Sequence, residues 1–330
     1  MSFKRHAMCA LVIGLVTASA SPSWGIAIDP FYSGTYSFLD LGAVTGLPAP
    51  YGGLVFKDGD PNTLLIGGAA NTANGLFYSV PVTRGVDGHV TSLGAATALG
   101  FGTNNDGGIA YGPDGVLFYS QYSINRVGQV EPGSNTDDKT VLLSPLGIAS
   151  STGALNFVPP GFNGAGQFKI SSWSGGQFYT ASLAPDGAGT FDITSATLET
   201  TIPGGPEGFI YVPIGSPLFP SQSMLVSEFS ANRVSSYPID ANGNPVLASR
   251  QLFVTQLSGA EGAAIDPLTG DFFFSTFGGG NHVVAVRGFA LPPSEPPTGV
   301  VPEPSTWLLL ASGLIGLVLW RLNTRQSIRS

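Results

Sequence analysis

The sequence predicts an all-β fold: a β-propeller of about five four-stranded blades, flanked by an N-terminal signal helix and a C-terminal transmembrane helix. Three observations carry this. A segment pattern recurs about every 50 residues, the usual length of a propeller blade. Forty-six glycines and 26 prolines sit among 21 phenylalanines and 10 tyrosines, the composition of many short strands joined by tight turns. No long amphipathic helix is visible between the two apolar ends.

Five units open on one residue followed by glycine, at Tyr51, Asp106, Thr152, Glu207 and Glu261, with gaps of 55, 46, 55 and 54 residues. An apolar strand comes first, then a turn such as Pro113-Asp114-Gly115 or Pro267-Leu268-Thr269-Gly270. The second strand ends in Ser-x-aromatic in four units: Ser120-Gln121-Tyr122, Ser171-Ser172-Trp173, Ser227-Glu228-Phe229 and Ser275-Thr276-Phe277. The first unit departs, with Gly67-Gly68-Ala69. A polar turn then enters a third strand at Asn125-Arg126-Val127, Asn232-Arg233-Val234 and Asn281-His282-Val283. A variable fourth strand closes most units, as in HVTSLGAAT or DKTVLL.

The last unit lacks a fourth strand. Tyr36–Val44, which belongs to no unit, is expected to supply it and so close the ring, removing open sheet edges. A sixth blade stays open if the long fourth unit hides one. A β-sandwich leaves five registered copies unexplained, and a β-solenoid has shorter repeats.

The ends carry different information. Residues 1–20 combine basic Lys4 and Arg5, an apolar stretch and small Ala18 and Ala20, the order of a secretory signal peptide. The propeller is expected over 31–290, a Pro-rich linker over 291–301, and a tail over 302–330. The apolar run Trp307–Trp320 is 14 residues. At about 1.5 Å per residue it reaches roughly 21 Å, short of a membrane core of about 30 Å. Such a run suits a transient hold in the inner membrane, with a permanent short anchor as the alternative and Arg321, Arg325 and Arg329 kept on the cytoplasmic side.

The lone cysteine, Cys9, lies in the signal, so the body has no disulfide framework and no thiolate metal site. Between Ser21 and Val301 there are 20 acids and 8 bases, a net of −12, which excludes phosphate-backbone binding to nucleic acid. Neither a G-x-S-x-G elbow nor a P-loop is present.

In a propeller the loop entering the innermost strand and the loop between strands two and three open on one face. The repeat therefore predicts a channel face of Tyr51, Asp106, Thr152, Glu207 and Glu261, surrounded by Gln121, Glu228, Thr276, Asn125, Arg126, Asn232, Arg233, Asn281 and His282. Asp106, Glu207 and Glu261, with Glu228, form a candidate Ca²⁺ or Mg²⁺ site, because converging carboxylates repel unless protonated or bound to a cation. The plainer alternative is that they cap strand starts, and that the Asn-Arg pairs are turn formers. Asp58-Gly59-Asp60-Pro61-Asn62 resembles the start of a calcium loop but aligns with an ordinary turn. His89 and His282 are the two histidines outside the signal.

Val301-Pro302-Glu303-Pro304-Ser305-Thr306, the apolar run and the three arginines resemble the PEP-CTERM sorting domain of Gram-negative bacteria. The resemblance implies recognition of Pro302, Glu303 and Pro304 by an exosortase-type membrane protease, with Arg321 and Arg325 completing the signal. The protein would pass through an inner-membrane intermediate to the outer envelope or the extracellular space. The second unit is similar to blades of NHL-type and streptogramin-lyase-type propellers, relatives of gluconolactonase-like propellers that hold a divalent ion in the channel. The lyases use an active-site histidine, and no motif places His89 or His282 in that role. The leading expectation is thus a non-enzymatic exported propeller that binds a polysaccharide or envelope protein. The alternatives are a metal-dependent hydrolase or lyase and a structural component of a biofilm matrix.

Overall fold

Each repeat unit folds into one antiparallel sheet, and five such sheets are arranged as blades around an axis. A computed structural model describes residues 25–292. The expected signal peptide 1–20, the tail 302–330 with its 307–320 run, and most of the expected 291–301 linker lie outside the described residues.

In chain order, β1 (Ala27–Ile28) and β2 (Ser37–Gly42) precede the first unit. Blade 1 holds β3 (Leu54–Lys57), β4 (Asp60–Gly68), β5 (Leu76–Arg84) and β6 (Val90–Leu93), with β7 (Thr97–Ala98) also paired to β5. Blade 2 holds β8 (Asn105–Tyr111), β9 (Leu117–Gln121), β10 (Arg126–Val130) and β11 (Lys139–Leu142). Blade 3 holds β12 (Thr152–Phe157), β13 (Phe168–Ser172), β14 (Gln177–Pro185) and β15 (Phe191–Thr201). Blade 4 holds β16 (Pro206–Val212), β17 (Ser223–Glu228), β18 (Arg233–Pro238) and β19 (Gln251–Thr255). Blade 5 has three strands of its own, β20 (Ala260–Ile265), β21 (Phe272–Thr276) and β22 (Val283–Arg287).

The expected ring closure is present. β2 pairs with β22 as the outer strand of blade 5, from Ser37 opposite Arg287 to Gly42 opposite Val283. The fourth unit hides no sixth blade. A strand the repeat did not reveal, β1, adds to the outer edge of blade 4 by pairing with β19. Among the described residues no helix is long and apolar enough to cross a membrane.

Apolar side chains are stored between blades. Five buried clusters occupy the blade interfaces, for example Leu225, Val234 and Phe253 of blade 4 against Phe272, Phe274 and Val284 of blade 5. Another sets Phe118 and Val127 of blade 2 against Phe168 and Ile170 of blade 3. Such face-to-face burial needs no disulfide, in keeping with a chain whose lone cysteine is Cys9.

The residue pair that opens each unit has a steric explanation. A Cβ on Gly53 would lie 2.7 Å from the Gly107 carbonyl oxygen, and one on Gly262 would lie 2.6 Å from the Gly53 Cα. On Gly107 it would overlap the Glu207 carbonyl, and on Gly208 the Glu261 carbonyl. The inner strands meet at these glycines so closely that any side chain is excluded, and the axis is pinched to a glycine waist.

The serine of Ser-x-aromatic is a staple between blades. β8, β12 and β20 each carry a register shift near their start, which frees a backbone N–H. Ser120 accepts from Gly108 N–H at 2.9 Å and donates to the Gly153 carbonyl of the next blade at 2.7 Å. Ser171 likewise joins Ala154 to Pro206, both at 3.1 Å. Ser275 joins Gly262 (3.0 Å) to Gly52 (2.6 Å). In blade 4, which also shifts register, Ser227 Oγ has no partner among the described residues.

Candidate cation centre and binding face

Three of the four predicted carboxylates converge. Asp106 of β8, Glu207 of β16 and Glu261 of β20 can each bring an oxygen within 4.8 Å of the others. All three are buried, at 0%, 4% and 1% exposure. Asp106 Oδ2, Glu207 Oε2 and Glu261 Oε1 have no hydrogen-bond partner among the described residues, and Asp106 lies within hydrogen-bond reach of Glu207 and Glu261 when one of the carboxyls is protonated. Burial pushes Asp106 up to about 7. Burial raises Glu207 and Glu261 well above the ordinary carboxylate range, and repulsion from their neighbouring carboxylates adds to it.

Asn71, which the repeat did not single out, joins the group from blade 1. With its amide nitrogen turned inward it donates to Asp106 Oδ1 at 2.9 Å and to the Asn105 carbonyl at 3.1 Å. Turned the other way, the same amide directs a further oxygen at the carboxylate. Its backbone is left-handed, φ 63°, in the turn after Gly67-Gly68-Ala69.

The donor set fits a hard divalent ion. Oxygens bound at about 2.4 Å to one Ca²⁺ lie at most about 4.8 Å apart. A carboxylate-rich site closed to bulk solvent suits Ca²⁺, with its flexible geometry, better than Mg²⁺, which usually keeps several waters.

Glu228 is not part of this cluster. It is buried, yet two guanidinium groups claim it: Arg233 Nε at 2.6 Å from Oε2 and Arg250 Nε at 2.7 Å from Oε1. Tyr237 adds a hydroxyl at 2.6 Å. Despite burial, these three donors hold its pKa below the usual value.

Most other predicted face residues are turn or core elements. Tyr51 is buried, its hydroxyl accepting from Val44 N–H at 2.9 Å. Thr152 donates to Asn125 Oδ1 at 2.8 Å. Gln121 donates to the Thr103 carbonyl at 2.9 Å and to the Tyr119 hydroxyl at 3.1 Å. Asn125, Asn232 and Asn281 take left-handed φ of 51°, 50° and 52°, a conformation asparagine tolerates. Asn232 and Asn281 accept backbone N–H bonds from Gly259 and Tyr51. Arg126 is exposed, and His282 Nδ1 faces Asp40 at 2.9 Å. Thr276 Oγ1 accepts from His282 N–H at 2.8 Å.

The aromatic residues of the repeat form a collar on this face. Tyr122 and Trp173 lie 6.2 Å apart, Trp173 and Phe229 6.1 Å, and Phe229 and Phe277 5.9 Å, all edge to face. Each is half-buried. The collar breaks at blade 1, where Ala69 takes the aromatic position. Regular recurrence was the signal for it, since these rings follow the serine in four units.

At the opposite mouth the inner strands splay into a funnel of about 1130 Å³, lined by residues such as Tyr111, Phe162, Ile210 and Leu268. The carboxylates are not among its walls.

Residues 300–326 match the PEP-CTERM protein-sorting motif. The chain carries a PEP-CTERM sorting signal. The PEP-CTERM motif implies export, handling by an exosortase and sorting to the cell envelope. No curated protein matches the chain. Solved structures similar to it include a glutaminyl cyclase from Myxococcus xanthus, at 15% identity over 76% of this chain and 95% of that one, with a TM-score of 0.44. A second is the PQQ domain of a pyranose dehydrogenase from Coprinopsis cinerea, at 11% identity over 81% and 98%, TM-score 0.43. A third is a Trichoderma reesei carbohydrate-active enzyme of family AA12, at 13% identity over 80% and 97%, TM-score 0.41.

Proposed function

We propose that this protein is an exported binding propeller whose ring is locked by a divalent cation, Ca²⁺ by preference, held on the axis by Asp106, Glu207 and Glu261. The single observation that supports the ion is the convergence of three buried carboxylates from three blades, each with one oxygen that has no hydrogen-bond partner among the described residues. With the ion bound they stay ionised and tie blades 2, 4 and 5 together. Asn71 from blade 1 orients Asp106 by donating to its Oδ1.

A structural ion is favoured over a catalytic one by burial. The carboxylates are at most 4% exposed, so a substrate has no open path to them. A hydrolase or lyase would need that path. Binding is instead assigned to the exposed rim of the same face, around the aromatic collar, with a glycan or envelope protein as partner. The setting is the outer envelope or extracellular matrix, reached after an exosortase has acted on Pro302, Glu303 and Pro304.

Thermal unfolding in EDTA, Ca²⁺ and Mg²⁺ tests the ion. Free Ca²⁺ at 100 times Kd stabilises by about 2.7 kcal/mol, and about 2–4 °C per kcal/mol gives roughly 5–11 °C in Tm. An unchanged Tm in all three conditions refutes the ion. Mass spectrometry of the exported protein tests the sorting step: the expected form lacks Arg321–Ser330, and a retained tail contradicts it.

A further inference from the structure

One sector of the binding face carries charge opposite to the rest of the body. Glu228 is a single buried carboxylate serving two guanidinium groups, so the cluster has a local excess of one positive charge. The surrounding region from Ser21 to Val301 has 20 acids and 8 bases. Both arginines are reachable from solvent, with 33% and 26% of the Arg233 and Arg250 side chains exposed. Their bonds to Glu228 use Nε of Arg233 and Nε and Nη2 of Arg250. Among the described residues, both Nη atoms of Arg233 and Nη1 of Arg250 make no hydrogen bond.

The aromatic collar borders this pair. Phe229 follows Glu228 in the chain, and Trp173 meets Phe229 edge to face at 88°. Between the indole and the ion pairs runs the dipeptide Gly204-Gly205, bonded to the turn below through Phe229 N–H and Ser230 N–H, both at 2.9 Å. A Cβ on Gly205 would lie 2.7 Å from Trp173 Nε1, and one on Gly204 would lie 2.9 Å from Glu228 Oε2. Both glycines also have left-handed φ, 88° and 72°. The bare backbone thus lets an indole and a guanidinium pair share one surface. The indole N–H itself is shielded and has no acceptor among the described residues.

We propose that the edge between blades 3 and 4 binds a carboxylated sugar ring, a uronate of an acidic polysaccharide. The pyranose C–H face rests on Trp173 and Phe229, and the carboxylate accepts from the unused guanidinium nitrogens of Arg233 and Arg250. Two features select this ligand over a neutral glycan. Planar guanidinium groups match a carboxylate with two parallel hydrogen bonds. The excess positive charge is left uncompensated by the protein itself. The proposal rests on the assignment of this face as the binding face, and it specifies the ligand class.

The exported protein, kept loaded with Ca²⁺, is titrated by calorimetry with an α-1,4-linked galacturonate trimer and with a neutral galactose trimer at low salt. The acidic trimer is expected to bind at least tenfold more tightly, with affinity falling as salt rises. Arg233→Gln and Trp173→Ala are each expected to weaken it at least tenfold. Lys57→Gln, an exposed lysine at the opposite mouth, leaves it unchanged. Near-ultraviolet circular dichroism checks that each variant stays folded, and Arg233→Lys gives a second reading at that site, with intermediate affinity expected. Equal binding of the two trimers overturns the uronate proposal and leaves the binding face standing. Binding of neither trimer overturns the uronate proposal together with the glycan reading of this face. The response of Tm to Ca²⁺ is read separately, so loss of the cation is not confused with loss of the sugar.

Discussion

Gly107→Ala isolates the glycine waist. Gly107 has no left-handed φ, so the substitution changes occupied space and leaves the backbone preference unstrained. The new Cβ would overlap the carbonyl oxygen of Glu207 and lie 2.7 Å from its carbonyl carbon. Both are main-chain atoms of an inner strand and cannot swing aside as a side chain would. Relief requires blades 2 and 4 to separate at the axis, where the inner strands are already in contact. Overpacking usually costs about 1–3 kcal/mol, and backbone resistance places this case at the upper end, about 3 kcal/mol. At about 2–4 °C per kcal/mol, Tm falls by roughly 6–12 °C. Gly34→Ala is the control, since nothing lies within 4 Å of the place its methyl group would take and its φ is not left-handed; it stays within about 0.5 kcal/mol. Differential scanning calorimetry of both variants decides. A Gly107→Ala protein as stable as Gly34→Ala would refute the pinched axis.

The serine staples make an unequal pair. Ser120→Ala leaves the buried Gly108 N–H and Gly153 carbonyl without their hydroxyl and costs about 1–3 kcal/mol, whereas Ser227→Ala, with no partner to lose among the described residues, stays within about 0.5 kcal/mol by urea unfolding. Equal costs would contradict the staple. In EDTA the three axial carboxylates bind protons more tightly folded than unfolded. Their contribution is complete below the ordinary carboxylate pKa of about 4 and is lost as pH rises, with Asp106 titrating at about 7. Tm in EDTA therefore declines from pH 5 to pH 8, and a rise over that range would show the carboxylates to be otherwise compensated. Glu207→Gln removes one of the interacting acids and flattens that decline, measured by the same unfolding series.

The periodicity made the blades legible, because one-residue-plus-glycine and Ser-x-aromatic recur wherever inner strands touch and staples form. The same alignment placed Asp106, Glu207 and Glu261 together, since equivalent positions on inner strands meet at the axis. It placed Glu228 wrongly because the partner that decides its fate, Arg250, precedes β19 and belongs to no repeated motif. Asn71 escaped notice because blade 1 departs from the pattern just before it. Tyr51 aligned with the acids yet turned inward, where Val44 supplies its hydrogen bond. The two-residue β1 was too short to carry any pattern. Tyr36–Val44 was recoverable because ring closure demands a strand that blade 5 lacks.

The axial ion is tested most directly by metal analysis of the exported protein after gel filtration in metal-free buffer, alongside a Glu207→Gln, Glu261→Gln double variant. One calcium per chain in the wild type, absent from the double variant, is the expected result. A wild-type chain that carries no divalent metal, and takes none up when Ca²⁺ is supplied, would contradict it.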